Sequence, residues 1–230
     1  MDARLTSRDA RYDGFADWYD EQLAAFSLEA TDAIRRFVGP GPGRCLDIGC
    51  GTGLHLPTLL ELGWSVVAVD ISRDMLRRAR GRAAEVEFVE ADVTSLPFAD
   101  NTFDVALAAF THTDVDDLAG LVSEAARTVR EGGKLAFIGL HPCFVGPHAR
   151  AVDAREPPQL LPGYREHRRY EEAPGISPDG LRAKVGAVHV PLGELVQSFI
   201  DNGFTLDAFE ELGSREYPQV VAIAAHTTAR

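Results

Sequence analysis

From Arg44 onward, short apolar runs alternate with longer stretches whose apolar positions recur every three or four residues. Short apolar runs suit strands and the 3.6-residue period suits helices. The alternation therefore predicts a parallel sheet with helices on both faces. Strands are expected at Arg44–Ile48, Ser65–Asp70, Val86–Glu90, Phe103–Ala109 and Lys134–Gly139. The second of these is apolar at successive positions, the mark of a strand buried on both faces. Helices are expected at Leu54–Leu62, with Pro57 in the first turn, and at Arg73–Arg80, between Ser72 as N-cap and Gly81. A third helix is expected at Val115–Arg130, capped by Asp114 and closed by Gly132-Gly133.

The flanks follow different patterns. Asp9–Val38 is helical in pattern and carries Tyr12, Phe15, Trp18, Tyr19 and Phe26. After Gly139 the alternation stops: His141–Val188 is rich in proline, glycine, histidine and arginine and has no sustained period. So long an irregular stretch within a compact domain is usually a functional lid or a disordered loop. A helix at Leu192–Asn202 then ends at Gly203. Two close strands follow, Thr205–Glu211 and Gln219–Ala225, placed for an antiparallel hairpin at the sheet edge. The expected organisation is one α/β domain over residues 1–230, with a helical cap (1–40) and a substrate lid (141–188).

Composition narrows the partners. A chain of 230 residues, 45% hydrophobic and 25% charged, suits one globular domain. A net charge of -12 argues against a general grip on nucleic acid or on an anionic membrane surface. The dense basic stretch Arg165–Arg169 is short and reads first as a solvated surface segment and only then as a binding patch. Cys45, Cys50 and Cys143 show no paired spacing for a metal or redox site, which fits a reducing compartment. Residues 1–21 lack an apolar signal core, and no apolar run is long enough to span a bilayer. A cytoplasmic monomer or homodimer is expected.

The chemistry concentrates at strand ends. Asp47-Ile48-Gly49-Cys50-Gly51-Thr52-Gly53 closes the first strand, where glycines let the backbone turn sharply and approach a ligand. A dinucleotide fingerprint would need a further glycine where Leu54 stands, which weighs against NAD or FAD. Asp70 ends the second strand, where a carboxylate can accept both hydroxyls of a ribose. Asp92 follows the third and could accept from an adenine amino group, with Ile71, Met75 and Val93 as apolar faces for the ring. Either acid alone could equally be a cap or a turn residue.

In this order the motifs closely resemble those of the class I S-adenosylmethionine-dependent methyltransferases, in particular the small-molecule branch. The resemblance covers about Tyr12 to Ala225. It rests on Asp47–Gly53, Asp70, Asp92 with Leu96-Pro97-Phe98, Phe103-Asp104-Val105 and Arg130–Leu135, where the family usually has Pro-Gly-Gly. It implies a Rossmann-like, doubly wound seven-stranded sheet with one antiparallel strand near the C-terminus. S-adenosylmethionine is the implied cofactor, with Gly49, Gly51 and the backbone near Phe110 lining its methionyl half, and with Asp47 and Gly53 of the same loop among the expected cofactor residues. Tyr12-Asp13 and Trp18-Tyr19-Asp20 resemble the segment that closes over the cofactor, which adds Tyr12 and Tyr19 to the expected cofactor residues.

A sulfonium methyl is already activated, so positioning the nucleophile dominates and can supply roughly 7–11 kcal/mol. A neutral oxygen or nitrogen acceptor also gains from a base, for which histidine is the natural candidate. His112 and His141 follow the fourth and fifth strands, and His189 precedes the helix at Leu192, where it resembles a histidine common in the family. These three are the expected catalytic candidates, each with a purely structural alternative. Arg150, Arg155, Arg165, Arg168 and Arg169 suggest an anionic small-molecule acceptor. Asp114, Asp116 and Asp117 could be read as metal ligands, but a helix N-terminus attracts acids unaided, and no metal is expected. The rival readings are non-methylating use of the cofactor, such as cyclisation, and a non-catalytic cofactor-binding partner protein.

Overall fold

The structure is a computed structural model that describes residues 10–151 and 156–228. Two helices, α1 (Ala16–Leu28) and α2 (Thr31–Val38), precede the sheet. Then come β1 (Arg44–Ile48), α3 (Leu56–Glu61), β2 (Ser65–Asp70), α4 (Arg73–Arg80), β3 (Glu87–Glu90), β4 (Phe103–Ala109), α5 (Leu118–Thr128) and β5 (Val129–Leu140). The stretch between β5 and the last helix contributes β6 (Ala149–Arg150), β7 (Gln159–Leu160), β8 (Arg168–Tyr170), α6 (Leu181–Val185) and β9 (Ala187–His189). The chain ends with α7 (Leu192–Asp201), β10 (Phe204–Leu212) and β11 (Val220–Thr227).

Seven strands form one sheet in the order β10-β11-β5-β4-β1-β2-β3. β1 through β5 pair in parallel, while β11 runs antiparallel to both β5 and β10. Alternate residues of each strand face opposite sides, and each side has its own core. Leu46, Ile48, Ala106 and Phe137 pack on one face against Leu121, Ala125 and Phe199 of α5 and α7. Cys45, Val66, Val105 and Ile138 pack on the other against Ile34, Phe37 and Leu59 of α2 and α3. From β1 the chain winds outward to β3 and then crosses back to β4, so the strand order reverses between β1 and β4. Ligands in open α/β sheets bind at that reversal, outside the carboxyl ends of the strands.

Several local expectations change. Asp117, not Asp114, caps α5, accepting the Gly120 N–H at 2.8 Å. The expected helix continues as strand: Gly132 and Gly133 lie inside β5, where the register against β4 shifts. Ser72 caps α4 as expected, accepting the Met75 N–H. The stretch 141–188 is not featureless, since β6 pairs with β7 and β8 with β9. No described helix is long and apolar enough to cross a membrane.

Candidate functional site

At the reversal the carboxyl ends of β1, β2 and β4 open into a cavity of about 400 Å³, within the range of small-molecule sites (roughly 300–1,000 Å³). Its floor is the glycine loop. Gly49 (φ 69°) leaves no room for a Cβ, which would meet Thr111 at 2.6 Å. Gly51 (φ 54°) is the opposite case: a Cβ there would meet nothing within 4 Å and would project into open space. Phe110, a non-glycine residue at φ 59°, turns the end of β4 into the cavity, its N–H bonded to the Ile138 carbonyl at 2.7 Å. Strain of this kind gathers at ligand sites.

Asp70 stands between these parts. Its carboxylate accepts the Gly51 N–H on one oxygen and the Ser72 N–H on the other, each at 2.9 Å. Burial pushes its pKa up to about 6, against the pull of those two N–H bonds. Each oxygen retains lone-pair capacity for a hydroxyl donor. Asp92 forms a local turn, accepting from the Thr94 N–H and hydroxyl on Oδ1. Ile71, Met75 and Val93 line the cavity between the two acids.

The remaining wall comes from the N-terminal segment and from α6, through Leu181 and Arg182. Tyr19, Leu23 and Phe26 share one face of α1 and point into the cavity, which explains an apolar stripe that is only half-buried. The side chain of Asp20 anchors this helix, accepting from the Thr52 hydroxyl at 2.6 Å and from Arg78 at 2.8 Å, and pairing with Arg82. Burial opposes ionisation of Asp20, but these donors outweigh it and hold its pKa below the ordinary value. Arg182 of α6 bonds Asp114 and, at 2.7 Å, the Thr113 hydroxyl, and approaches the Tyr12 hydroxyl at 3.4 Å. The N-terminal segment, the β4–α5 loop and α6 thus meet at one guanidinium. Burial alone would lower the pKa of Arg182, and the Asp114 carboxylate more than offsets it. Burial, reinforced by Asp114, raises the phenol of Tyr12 well above its ordinary value and that of Tyr19 to about 12, so both are neutral.

Of the residues nominated from sequence, Tyr12, Tyr19, Gly49, Gly51, Asp70, Ile71, Met75, Asp92, Val93 and Phe110 converge on this cavity. Asp47 and Gly53 do not. Asp47 is buried within β1, its pKa pushed up to about 7 by burial and by Asp70. Gly53 (φ 79°) packs where a Cβ would strike Leu56 and Ala79. The three histidines also stand away from the cavity. His141 is tied to Glu211 at 2.8 Å and to the Cys143 N–H. His112 and His189 border a smaller neighbouring cavity instead. Burial, with Arg182 nearby, drives the pKa of His112 down to about 3. Each of the three acids weighed as a metal ligand has another partner: Asp114 pairs with Arg182, Asp116 with Arg11, and Asp117 caps α5.

Arg11, Thr111 and Arg182 line the cavity without having been nominated. Among the arginines expected to hold an anion, Arg150 bonds the Pro174 carbonyl and Arg168 pairs with Glu166. Arg169 bonds the Val185 carbonyl and Asp116. None of these, nor Arg165, lines the cavity, and Arg155 lies outside the described residues. The Tyr19-Leu23-Phe26 spacing was a readable helical stripe. Arg182 carried no such signal.

A family profile described as a methyltransferase domain matches residues 46–137. The crystal structure of an S-adenosylmethionine-dependent methyltransferase from Mesorhizobium loti superposes with a TM-score of 0.74, covering 86% of this chain and 97% of that one at 23% identity. Phosphatidylethanolamine N-methyltransferase of Cereibacter sphaeroides is 37% identical over 142 residues, or 59% of this chain and 70% of that one. The chain belongs to the S-adenosylmethionine-dependent methyltransferases. A demethylmenaquinone methyltransferase of Renibacterium salmoninarum is 35% identical over 150 residues, and the match spans 63% of each chain.

The cofactor of the methyltransferases is S-adenosylmethionine, and the cavity suits it in kind. It offers a carboxylate beside bare glycine backbone for a ribose, and an apolar slot between Asp70 and Asp92 for a flat base.

Proposed function

We propose that this methyltransferase transfers a methyl group from S-adenosylmethionine to a small molecule held in the same cavity. The observation that carries the reading is Asp70, buried beside the open Gly51 backbone where the strand order reverses. Asp70 grips the ribose hydroxyls, and Ile71, Met75 and Val93 sandwich the base whose amino group Asp92 accepts. The bound cofactor supplies an activated sulfonium methyl. What remains for the chain is to hold the acceptor in line and to exclude water. Tyr19, Leu23, Phe26, Phe110, Leu140 and Leu181 form an apolar wall for the acceptor, and the Tyr12–Asp114–Arg182 junction closes over it.

An oxygen or nitrogen acceptor is the reading from sequence. A second reading, methylation at an activated ring carbon, is favoured by one observation: among the described residues no histidine lines the cavity to serve as a base. The demethylmenaquinone methyltransferase relative is in keeping with it. Incubation with methyl-labelled cofactor and a panel of phenols, amines and hydroxyquinones, followed by mass spectrometry and NMR of the products, tests both. Labelled product is expected, and the labelled atom decides between the readings. A panel-wide absence of transfer by a protein that binds S-adenosylhomocysteine would contradict the proposal.

A further inference from the structure

The cavity-facing stripe of α1 does not end at Phe26. Ser27 stands four positions beyond Leu23, so it falls on the same helical face, and it also lines the cavity. Its Oγ lies 3.1 Å from Nε2 of His55, which follows the glycine loop and immediately precedes α3. Both side chains are buried, with relative exposures of 3% and 7%. The ring of Phe26 packs on that of Phe110 at 5.6 Å, which sets Ser27 next to the apolar wall assigned to the methyl acceptor.

The protein leaves this pair incomplete. His55 Nδ1 is buried without a partner among the described residues. Among them, too, the contact with His55 is the one hydrogen bond of the Ser27 hydroxyl. Burial lowers the pKa of His55 to about 4, so the ring is neutral and carries its proton on one nitrogen. A buried N–H without an acceptor is rarer than a buried acceptor without a donor. The proton therefore belongs on Nε2, which donates to Ser27 Oγ, and Nδ1 keeps a bare lone pair. The hydrogen of Ser27 is then turned away from His55, with no acceptor among the described residues. As a mere tether the pair is poorly made. Asp20 already ties α1 to the glycine loop through Thr52, and each unpartnered buried group costs about 1–3 kcal/mol that an apolar contact would avoid.

We propose that Ser27 is a specificity-determining donor, its hydroxyl bonding a carbonyl or phenolate oxygen of the methyl acceptor, and that His55 is the positioning residue that turns this hydroxyl into the cavity. An oxygen accepting there completes Ser27 and restricts how the acceptor lies on the apolar wall. A molecule with only a hydrocarbon edge at that place leaves the hydroxyl buried and unpaired. Naming the occupant as the methyl acceptor rests on the methyl-transfer reading; the hydrogen bonding of the pair does not.

Acetophenone and isopropylbenzene, matched in shape but differing in the carbonyl oxygen, test it on the full chain saturated with S-adenosylhomocysteine. In imidazole ¹⁵N NMR, His55 is expected to carry its proton on Nε2. Acetophenone is expected to shift that resonance, and isopropylbenzene to leave it in place. In calorimetry, Ser27→Ala is expected to reduce the preference for acetophenone over isopropylbenzene roughly three- to tenfold, as loss of one neutral hydrogen bond implies. Its affinity for S-adenosylhomocysteine is expected to be unchanged. His55→Leu is expected to reduce the same preference, and His55→Gln, whose amide can donate to Ser27 Oγ, to restore it. A merely structural pair would move the melting temperature and leave the preference alone. Protonation at Nδ1, an Nε2 resonance that acetophenone does not move, or equal shifts with isopropylbenzene would each overturn the proposal. So would an unchanged preference, or a lost affinity for S-adenosylhomocysteine, in a folded Ser27→Ala protein. The wild-type spectra decide even if no variant folds. Failure of S-adenosylhomocysteine to bind the wild type would instead strike at the methyl-transfer reading, and acetophenone titrated into the free protein would then judge Ser27 alone.

Discussion

Two glycines of one loop do different work, and substitution separates them. An alanine at Gly51 meets open space, so its cost to the free protein is the left-handed backbone, about 1–2 kcal/mol. The same change at Gly53 adds a collision at 2.8 Å with Leu56 and 3.0 Å with Ala79. Gly53→Ala is therefore expected to lower the melting temperature further than Gly51→Ala, whereas Gly51→Ala is expected to lose more S-adenosylhomocysteine affinity among folded protein. Thermal melts and calorimetry on both variants check this. Asp70 adds a pH dependence. With its pKa raised to about 6, it becomes protonated as pH falls through that value and loses acceptor strength, so cofactor affinity is expected to fall below pH 6. Asp47 bears on the free fold. A carboxyl whose pKa rises on folding, here to about 7 from an ordinary 3.8, contributes stability below about pH 4 and loses it as pH rises through 7. Asp47→Asn is thus expected to raise the melting temperature of the free protein at pH 8 and not at pH 4. An unchanged melting temperature at pH 8 would count against the burial argument.

Among the elements, the core strands and the helices between them were legible because a buried parallel strand must be continuously apolar and a covering helix must keep its period. β1, β2 and β4 fall on their expected residues for that reason. The boundary at α5 was not legible. Asp114 and Asp117 are both acids at the head of an apolar run, and only the position of Arg182, 68 residues beyond Asp114, decides which one caps. The same long-range contact hid Arg182, one of the two arginines that line the cavity among the described residues, since nothing local distinguishes it from the denser basic run at Arg165–Arg169. His112, His141 and His189 do not line the cavity for a related reason: nearness along the chain to the site does not aim a side chain into it. Arg182→Ala tests the junction. It leaves Asp114 partly buried without its partner, and breaking such a pair costs about 3–5 kcal/mol unless the surroundings relax. Relaxation here means release of α6 and Tyr12 from the cavity roof. Limited proteolysis is expected to cut faster within residues 141–188, with a rise in KM for the acceptor. Unchanged cleavage and kinetics would deny Arg182 its roofing role.

For the whole molecule, the cavity assembles from three distant stretches of chain: the N-terminal segment with α1, the carboxyl ends of β1 to β4, and α6. A ligand bridging them should stabilise the entire fold. Binding to the native state alone adds about 2.7 kcal/mol at one hundred times Kd, or roughly 5–11 °C in melting temperature for a chain of this size. Cofactor binding in this cavity depends most on Asp70, and calorimetric titration of S-adenosylhomocysteine into the wild type and Asp70→Ala at pH 7.5 tests that dependence most directly. Loss of a charged acceptor worth about 1.5–3 kcal/mol is expected to weaken binding roughly ten- to hundredfold, with the variant still folded. Equal affinity in a folded Asp70→Ala protein would contradict the assignment of this cavity to the cofactor.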